Sequence, residues 1–261
     1  MDYETILYEV ADGVTTITLN RPDKLNAFNN QMIHETTDAF KQAGRDKEVR
    51  CILITGAGRG FSSGQDLSDI DVREEGFSIG DHLEQGYNRL IGRMTTLEKP
   101  IIGAINGVAA GAGCGLALAC DIRIAADNAT FIQLFSNVGL IPDSGSTWML
   151  PRLIGYARAY EMAVTADKVP AEKALQWGLV NEVVPAAQLP EVAAAWAQRL
   201  AKGPTLAFGL TKRAMRRSWS MNLEEALAYE AMLQEVAGAS HDHREGVQAF
   251  LEKRRPNYTG E

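Results

Sequence analysis

Pro100-Ile101-Ile102-Gly103-Ala104-Ile105-Asn106-Gly107-Val108-Ala109-Ala110-Gly111-Ala112-Gly113-Cys114-Gly115 is the stretch on which the fold turns. Ile101 to Ile105 is a short apolar run bounded by Pro100 and Asn106, the pattern of a strand buried on both faces. The small-residue run Gly107 to Gly115 follows and leads into a helix expected over Leu116 to Cys120. Pro100 to Cys120 is the longest apolar stretch of the chain, yet its glycines and Asn106 make it buried strand and helix, not a membrane span.

The same alternation extends in both directions. Upstream, Val14 to Leu19 is β-branched and reads as a strand, broken by Asn20-Arg21-Pro22-Asp23. Asn29 to Arg45 places Met32, Ile33, Thr36, Phe40 and Ala43 at helical spacing. Val49 to Thr55 is a second buried strand that stops at Gly56, and Gly56 to Gly64 is glycine-rich enough to predict a loop. Residues 66–84 are charged and patternless, which predicts a mobile surface segment. Downstream, Ile122 to Ala125 resumes a strand, and Gly139 to Ser146 is a loop ahead of a helix. From Arg152 the chain reads as helical, with an Ala-rich stretch from Leu189 to Lys202 and an amphipathic one from Leu223 to Ala237. Strands alternating with helices predict an α/β core, and the late helices an appended layer.

Composition narrows the function classes. The 261 residues are 46% hydrophobic and 23% charged, a globular composition. Twenty-six Lys and Arg against 33 Asp and Glu give a net charge of −7, which argues against a general nucleic-acid or membrane-surface binder. Cys51, Cys114 and Cys120 are too few, and odd in number, for a disulfide framework. Met1-Asp2-Tyr3-Glu4 opens no signal peptide, so the expected setting is the cytoplasm or a comparable reducing compartment.

Metal and cofactor signatures are not found in the sequence. His241 and His243 lie in a charged helical stretch and read as a solvated face, while His34 and His82 are isolated. Gly58-Arg59-Gly60 and Gly111-Ala112-Gly113 each resemble part of a dinucleotide loop without completing it. Two bare loops remain, Phe61 to Gly64 and Gly111 to Gly115, each following a buried strand. Such loops either pack a helix closely on a strand or aim two backbone N–H groups at one developing oxyanion. A third loop carries a single carboxylate, Asp143, which either caps the next helix or does chemistry.

Taken together these loops resemble the crotonase (enoyl-CoA hydratase/isomerase) superfamily. The matching stretches are Leu19 to Ala27, Gly58 to Leu67, Pro100 to Gly111, Cys120-Asp121-Ile122, Gly139-Leu140-Ile141-Pro142, Ala174 to Val180 and Arg244 to Arg254, in family order along the whole chain. The resemblance implies an α/β fold with a crotonase-type (ClpP-like) spiral of ββα turns over residues 1–195. It also implies a helical C-terminal oligomerisation region over residues 196–261, and a homotrimer or dimer of trimers. The implied substrate is an acyl-CoA thioester, with no separate cofactor and no metal. By position, the Gln65 and Ala112 amides form the oxyanion hole, with Gly64 and Gly113 beside them. Lys24, Leu25 and Ser63 fall where relatives hold CoA, and Phe250 and Lys253 where a neighbouring subunit completes that site. Lys24, Arg59, Lys253, Arg254 and Arg255 are the candidate partners for the anionic CoA.

Two departures bear on the reaction. Hydratases of this family use paired glutamates where this chain has Gly115 and Phe135, and hydration needs such a pair to activate water and deliver a proton. Asp143 stands instead where some isomerases and a dehalogenase of the superfamily keep an aspartate. The context Phe135 to Trp148 resembles isomerases that turn an aryl-epoxide thioester into an oxepin, as in aerobic phenylacetate breakdown, and that move a double bond from the 3 to the 2 position. Phe135, Val138, Leu140 and Trp148 are expected to line the pocket and keep water from Asp143. A nucleophilic Asp143, a weak hydratase and a non-catalytic acyl-CoA binder are the alternatives.

Overall fold

The computed structural model describes residues 3–69 and 76–261. The chain begins with an antiparallel pair, β1 (Ile6–Ala11) and β2 (Val14–Leu19), whose Ile17 and Leu19 are fully buried. Helix α1 (Asn30–Arg45) follows, capped by the Asn29 side chain, which accepts from the Met32 amide at 2.9 Å. It buries Met32, Ile33, Thr36, Phe40 and Ala43, the face its spacing predicts.

A spiral of three turns comes next. β3 (Cys51–Gly56) and β4 (Gly60–Ser62) form the first, closed by α2 (Ile79–Gln85) and α3 (Tyr87–Thr96). β5 (Ile101–Ile105), β6 (Val108–Ala110) and α4 (Ala112–Ala119) form the second. β7 (Ile122–Ala126), β8 (Thr130–Ile132), α5 (Ser146–Ile154) and α6 (Tyr156–Thr165) form the third. The first strand of each turn joins one sheet, in which β3, β5 and β7 are parallel neighbours. The second strand joins the other, in which β4, β6 and β8 are parallel neighbours. β9 (Val169–Pro170), α7 (Ala171–Trp177) and β10 (Glu182–Val184) add one strand to the edge of each sheet.

Four helices end the chain: α8 (Leu189–Ala201), α9 (Thr205–Ser218), α10 (Leu223–Gly238) and α11 (His241–Glu252). α8 packs on β3, β5 and β7 through Leu189, Ala193, Ala197 and Ala201, so a division of the chain between residues 195 and 196 falls inside a core helix. α9 is held to the spiral by Lys212, which reaches Asp121 at 2.8 Å. α10 packs on α9, buries only Leu233 and leaves Leu223, Leu227, Met232 and Val236 exposed, uncovered by any other described residue. Among the described residues no helix is long and apolar enough to cross a membrane.

Three sequence expectations change. Gly56 to Gly64 is not all loop: Gly60 to Ser62 form β4, because pairing with β6 and full burial override weak glycine propensity. Gly107 to Gly115 holds β6 and the first turn of α4, which starts at Ala112, not Leu116. Helix α4 is buried all round, so its glycines serve close approach: a Cβ at Gly113 would lie 2.6 Å from the Ser62 carbonyl oxygen. Of the expected mobile segment, residues 70–75 lie outside the described residues, while Ile79 to Gln85 are helical, with Ser78 accepting from the Asp81 amide as cap. His241 and His243 are exposed as expected, but Asp242 between them is buried and accepts from the Thr259 and Gly260 amides at 2.7 and 2.8 Å.

Candidate active site

β4, β6 and β8 run parallel, so the loops leaving their carboxyl ends emerge side by side. Those loops carry Ser63-Gly64-Gln65, Gly111-Ala112 and Phe135. They surround a cavity of about 340 Å³, which Asp143 and Leu140 close from the loop before α5. Eight of the residues named from sequence, Ser63, Gly64, Gln65, Ala112, Phe135, Val138, Leu140 and Asp143, therefore share one lining.

The backbone aims both candidate donors. Gly64 has φ of +95°, and a Cβ there would stand 2.8 Å from the Ala110 carbonyl oxygen and 3.4 Å from the Ala112 nitrogen. Only glycine lets the two loops come this close. The Phe28 amide donates to the Gly64 carbonyl at 2.7 Å, and that carbonyl belongs to the same peptide plane as the Gln65 N–H. The trans plane then turns the Gln65 N–H the other way. Ala112 is the first residue of α4, where an N–H has no partner within the helix. Neither amide donates a hydrogen bond to another described residue.

Asp143 is half-buried, and desolvation raises its pKa above the ordinary carboxylate value, opposed by a hydrogen bond from the Ser144 hydroxyl at 2.8 Å. Its carboxylate caps nothing. The residue in the cap position of α5 is Gly145, in the left-handed region, and no side chain caps the helix. Ser144 is also left-handed and buried, which turns the chain sharply behind Asp143. Gly115 lies against this turn: a Cβ there would sit 2.5 Å from the Ser144 Cβ and 2.9 Å from its carbonyl oxygen. The Asp143 loop thus occupies the room that a side chain at position 115 would need.

Further residues complete the lining, among them His82 and Tyr87, which the sequence offered only as polar groups for a nucleophilic Asp143. Leu67, Phe77, Ile79 and Leu83 supply an apolar wall, and His82 and Tyr87 supply the polar groups of α2 and α3. Burial raises the Tyr87 phenol well above its ordinary value, with the Asp143 charge adding to it, and burial lowers His82 below the ordinary imidazole value, opposed by the Asp69 charge. Phe77, Ile79 and Leu83 were hidden in a stretch of mixed charge, although Ser78 followed by Asp81 is a helix-start signal that could have found α2.

Lys24 and Leu25 reach the site through their backbone: the Leu25 carbonyl accepts from the Ser63 amide at 2.9 Å, and the Lys24 carbonyl from its hydroxyl at 3.2 Å. Gly113 does not line the cavity; it is pressed against Ser62. Trp148 does not line it either, but packs tilted against Trp219, ring centroids 4.5 Å apart, with Arg152 and Arg216 over its ring. Phe250 and Lys253 lie elsewhere in the same chain, with Phe250 on a separate cavity between the C-terminal helices. Arg254 is engaged by Glu245 and Glu252, both at 2.6 Å. Among the described residues no cluster of three or more His, Cys, Asp or Glu could hold a metal ion.

Residues 9–261 match the family model described as enoyl-CoA hydratase/isomerase. The chain is 48% identical to the 1,2-epoxyphenylacetyl-CoA isomerase of Escherichia coli K12, covering 98% of this chain and 99% of that protein. It is 47% identical, over the full length of both, to a Rhodobacter capsulatus protein that carries the name probable enoyl-CoA hydratase. A solved Mycobacterium abscessus structure described as an enoyl-CoA hydratase/isomerase superimposes with a TM-score of 0.94 at 40% identity, covering 98% of this chain and 100% of that one. The spiral of ββα turns, the two loops that meet at Gly64 and the end-to-end likeness agree, and the chain belongs to the enoyl-CoA hydratase/isomerase family.

Proposed function

We propose that the protein is an acyl-CoA isomerase that moves a proton between carbons of its substrate, with 3-enoyl-CoA and 1,2-epoxyphenylacetyl-CoA as the substrates to test. Enzymes of this family need no cofactor, because the CoA group arrives on the substrate. The thioester carbonyl sits between the Gln65 and Ala112 N–H groups, which polarise it and stabilise the enolate that forms when a proton leaves the adjacent carbon. Asp143 takes that proton as a base and returns it to a more distant carbon as an acid. One carboxylate serves both steps because the apolar wall limits exchange of the proton with water.

The observation that carries this reading is a carboxylate with a raised pKa, engaged by one neighbouring hydroxyl and by no helix cap, in a cavity shared with two unpaired amides. The positions of the paired hydratase glutamates hold Gly115 and Phe135, and the first has no room for a side chain. Lys24, Leu25 and Ser63 flank the thioester loop and are assigned to CoA. Phe250 and Lys253 are assigned to the CoA of a neighbouring subunit in a homotrimer or dimer of trimers. Residues 1–195 then supply the catalytic core, 196–201 finish α8 on that core, and the helices after it assemble the oligomer.

Purified enzyme is to be assayed on 3-enoyl-CoA and 2-enoyl-CoA, following double-bond migration and hydration separately. Migration without hydration is expected, reduced at least about 10³-fold in Asp143→Asn. Rapid hydration, or normal turnover by Asp143→Asn, overturns the proposal. Conversion of 1,2-epoxyphenylacetyl-CoA by the wild type, lost in the same variant, fixes the acyl group.

A further inference from the structure

The Gln65 side chain raises a separate question, because only its backbone N–H is needed at the carbonyl. Its carboxamide is fully engaged inside the protein. Nε2 donates to the Phe28 carbonyl at 2.9 Å and to the Asp66 carbonyl at 3.3 Å. Oε1 accepts from the Tyr87 hydroxyl at 2.7 Å and lies 3.3 Å from His82 Nε2. A primary carboxamide has two donor hydrogens and two acceptor lone pairs; both hydrogens and one lone pair are occupied, and the second lone pair faces His82 Nε2, which donates to it in the Nε2–H tautomer. Such a group has no capacity left for a ligand; it acts as an anchor.

The anchor ties separate parts of the site together. Phe28 holds the carboxamide through its carbonyl, and the Gly64–Gln65 peptide through its amide. Tyr87 begins α3 and is only 3% exposed, packed edge-on to Phe28 at 5.9 Å and to His82 at 6.0 Å. His82 belongs to α2, which also walls the cavity.

We infer that Tyr87, assisted by His82, is a positioning residue: its hydroxyl clamps the Gln65 carboxamide and so holds the Gln65 N–H in line with the thioester oxygen. The clamp rests on the isomerase reading above insofar as that N–H is an oxyanion donor. It makes the aim of the donor depend on the two helices that contact the acyl group. A donor left in place but misaligned is costly to the transition state and nearly neutral to binding.

Tyr87→Phe removes the hydroxyl and keeps the ring. On the substrate that wild type turns over, kcat is expected to fall roughly 10- to 100-fold, with KM within about threefold and the melting temperature within a few degrees. In a Gln65→Met background, Tyr87→Phe should cost nothing further, since its partner is gone. A second readout needs no turnover. Bound hexanoyl-CoA carrying a ¹³C thioester carbonyl should show its infrared stretch moved to lower wavenumber in the wild type, and most of that shift lost in Tyr87→Phe. Equal kcat and an equal carbonyl shift in wild type and Tyr87→Phe overturn the clamp. A carbonyl shift that depends on Tyr87 in a wild type without isomerase activity keeps the clamp and overturns the isomerase reading. Absence of any shift in the wild type overturns the oxyanion role of Gln65 and the clamp with it.

Discussion

Asp143 is stabilised in its protonated form by the site that uses it, and this sets two opposite expectations for Asp143→Asn. Burial raises its pKa in the folded chain above the ordinary value of 3.8. Between that value and the raised one, the folded state holds a proton that the unfolded chain has released. Stability therefore falls as pH rises through this window and stays lowered above it. Asparagine carries no charge to desolvate and keeps an oxygen for the Ser144 hydroxyl. Asp143→Asn should raise unfolding stability at pH 7 by about 1 kcal/mol, the scale of other released functional strain, and lose that advantage below pH 4. Scanning calorimetry at the two pH values checks this. The same shift predicts that kcat/KM of the wild type rises with pH along a limb displaced upward from that of an ordinary aspartate, as the base becomes charged. Asp143 was visible in the sequence as the lone carboxylate of a glycine-bordered loop, but its role was not. Capping and chemistry look alike until the cap position is seen to be Gly145. Gln65 and Ala112 were reachable only by resemblance, because a main-chain donor leaves no mark in side-chain type. Tyr87 and His82 meet Gln65 across more than 15 positions of chain, a contact that no local pattern encodes.

At the level of elements, glycine misled the reading because it has two uses that look the same in sequence. In Gly56 to Gly64 and Gly107 to Gly115 it suggested loops, yet β4, β6 and the start of α4 lie there. These glycines let a strand and a helix approach closely. The strongly periodic α1 and the apolar β3 and β5 were legible, since their burial is written into side-chain type. The two uses can be separated by alanine substitution. Gly92 lies exposed in the interior of α3 with nothing within 4 Å of its missing Cβ, so Gly92→Ala should stabilise by about 0.5–1 kcal/mol through helix propensity. A Cβ at Gly113 meets the side chain and the carbonyl of Ser62, both at 2.6 Å, and backbone cannot step aside cheaply. Gly113→Ala should destabilise by roughly 1–3 kcal/mol and, by pushing α4 from β4, separate the two donor amides and lower kcat. Urea midpoints for the two variants, measured beside their isomerase rates, test both expectations.

Across the whole molecule the order of elements was legible but their weaving was not. Local periodicity cannot say that successive strands alternate between two sheets, and that alternation brings three carboxyl ends to one cavity. The C-terminal helices pose the remaining question, because they expose Phe250 to 81% and Leu223 to 74%, along with Leu227, Val236, Val247 and Leu251. An apolar surface of this extent on a chain with a packed core calls for cover, and a second copy of the chain supplies it in the proposed assembly. If Lys253 serves a neighbour's CoA, its loss and the loss of Asp143 injure different sites. Lys253→Ala should raise KM for acyl-CoA about tenfold with kcat little changed, the effect of removing one charge-assisted contact of about 1.5 kcal/mol. Asp143→Asn should be inactive at any substrate concentration. Co-expressed, the two variants form mixed oligomers in which an intact Asp143 from one chain stands beside an intact Lys253 from the other. Those sites should restore turnover at the wild-type KM. Were Lys253 to act on its own chain's site, no chain in the mixture would hold both groups, and the low-KM activity would stay absent at every mixing ratio.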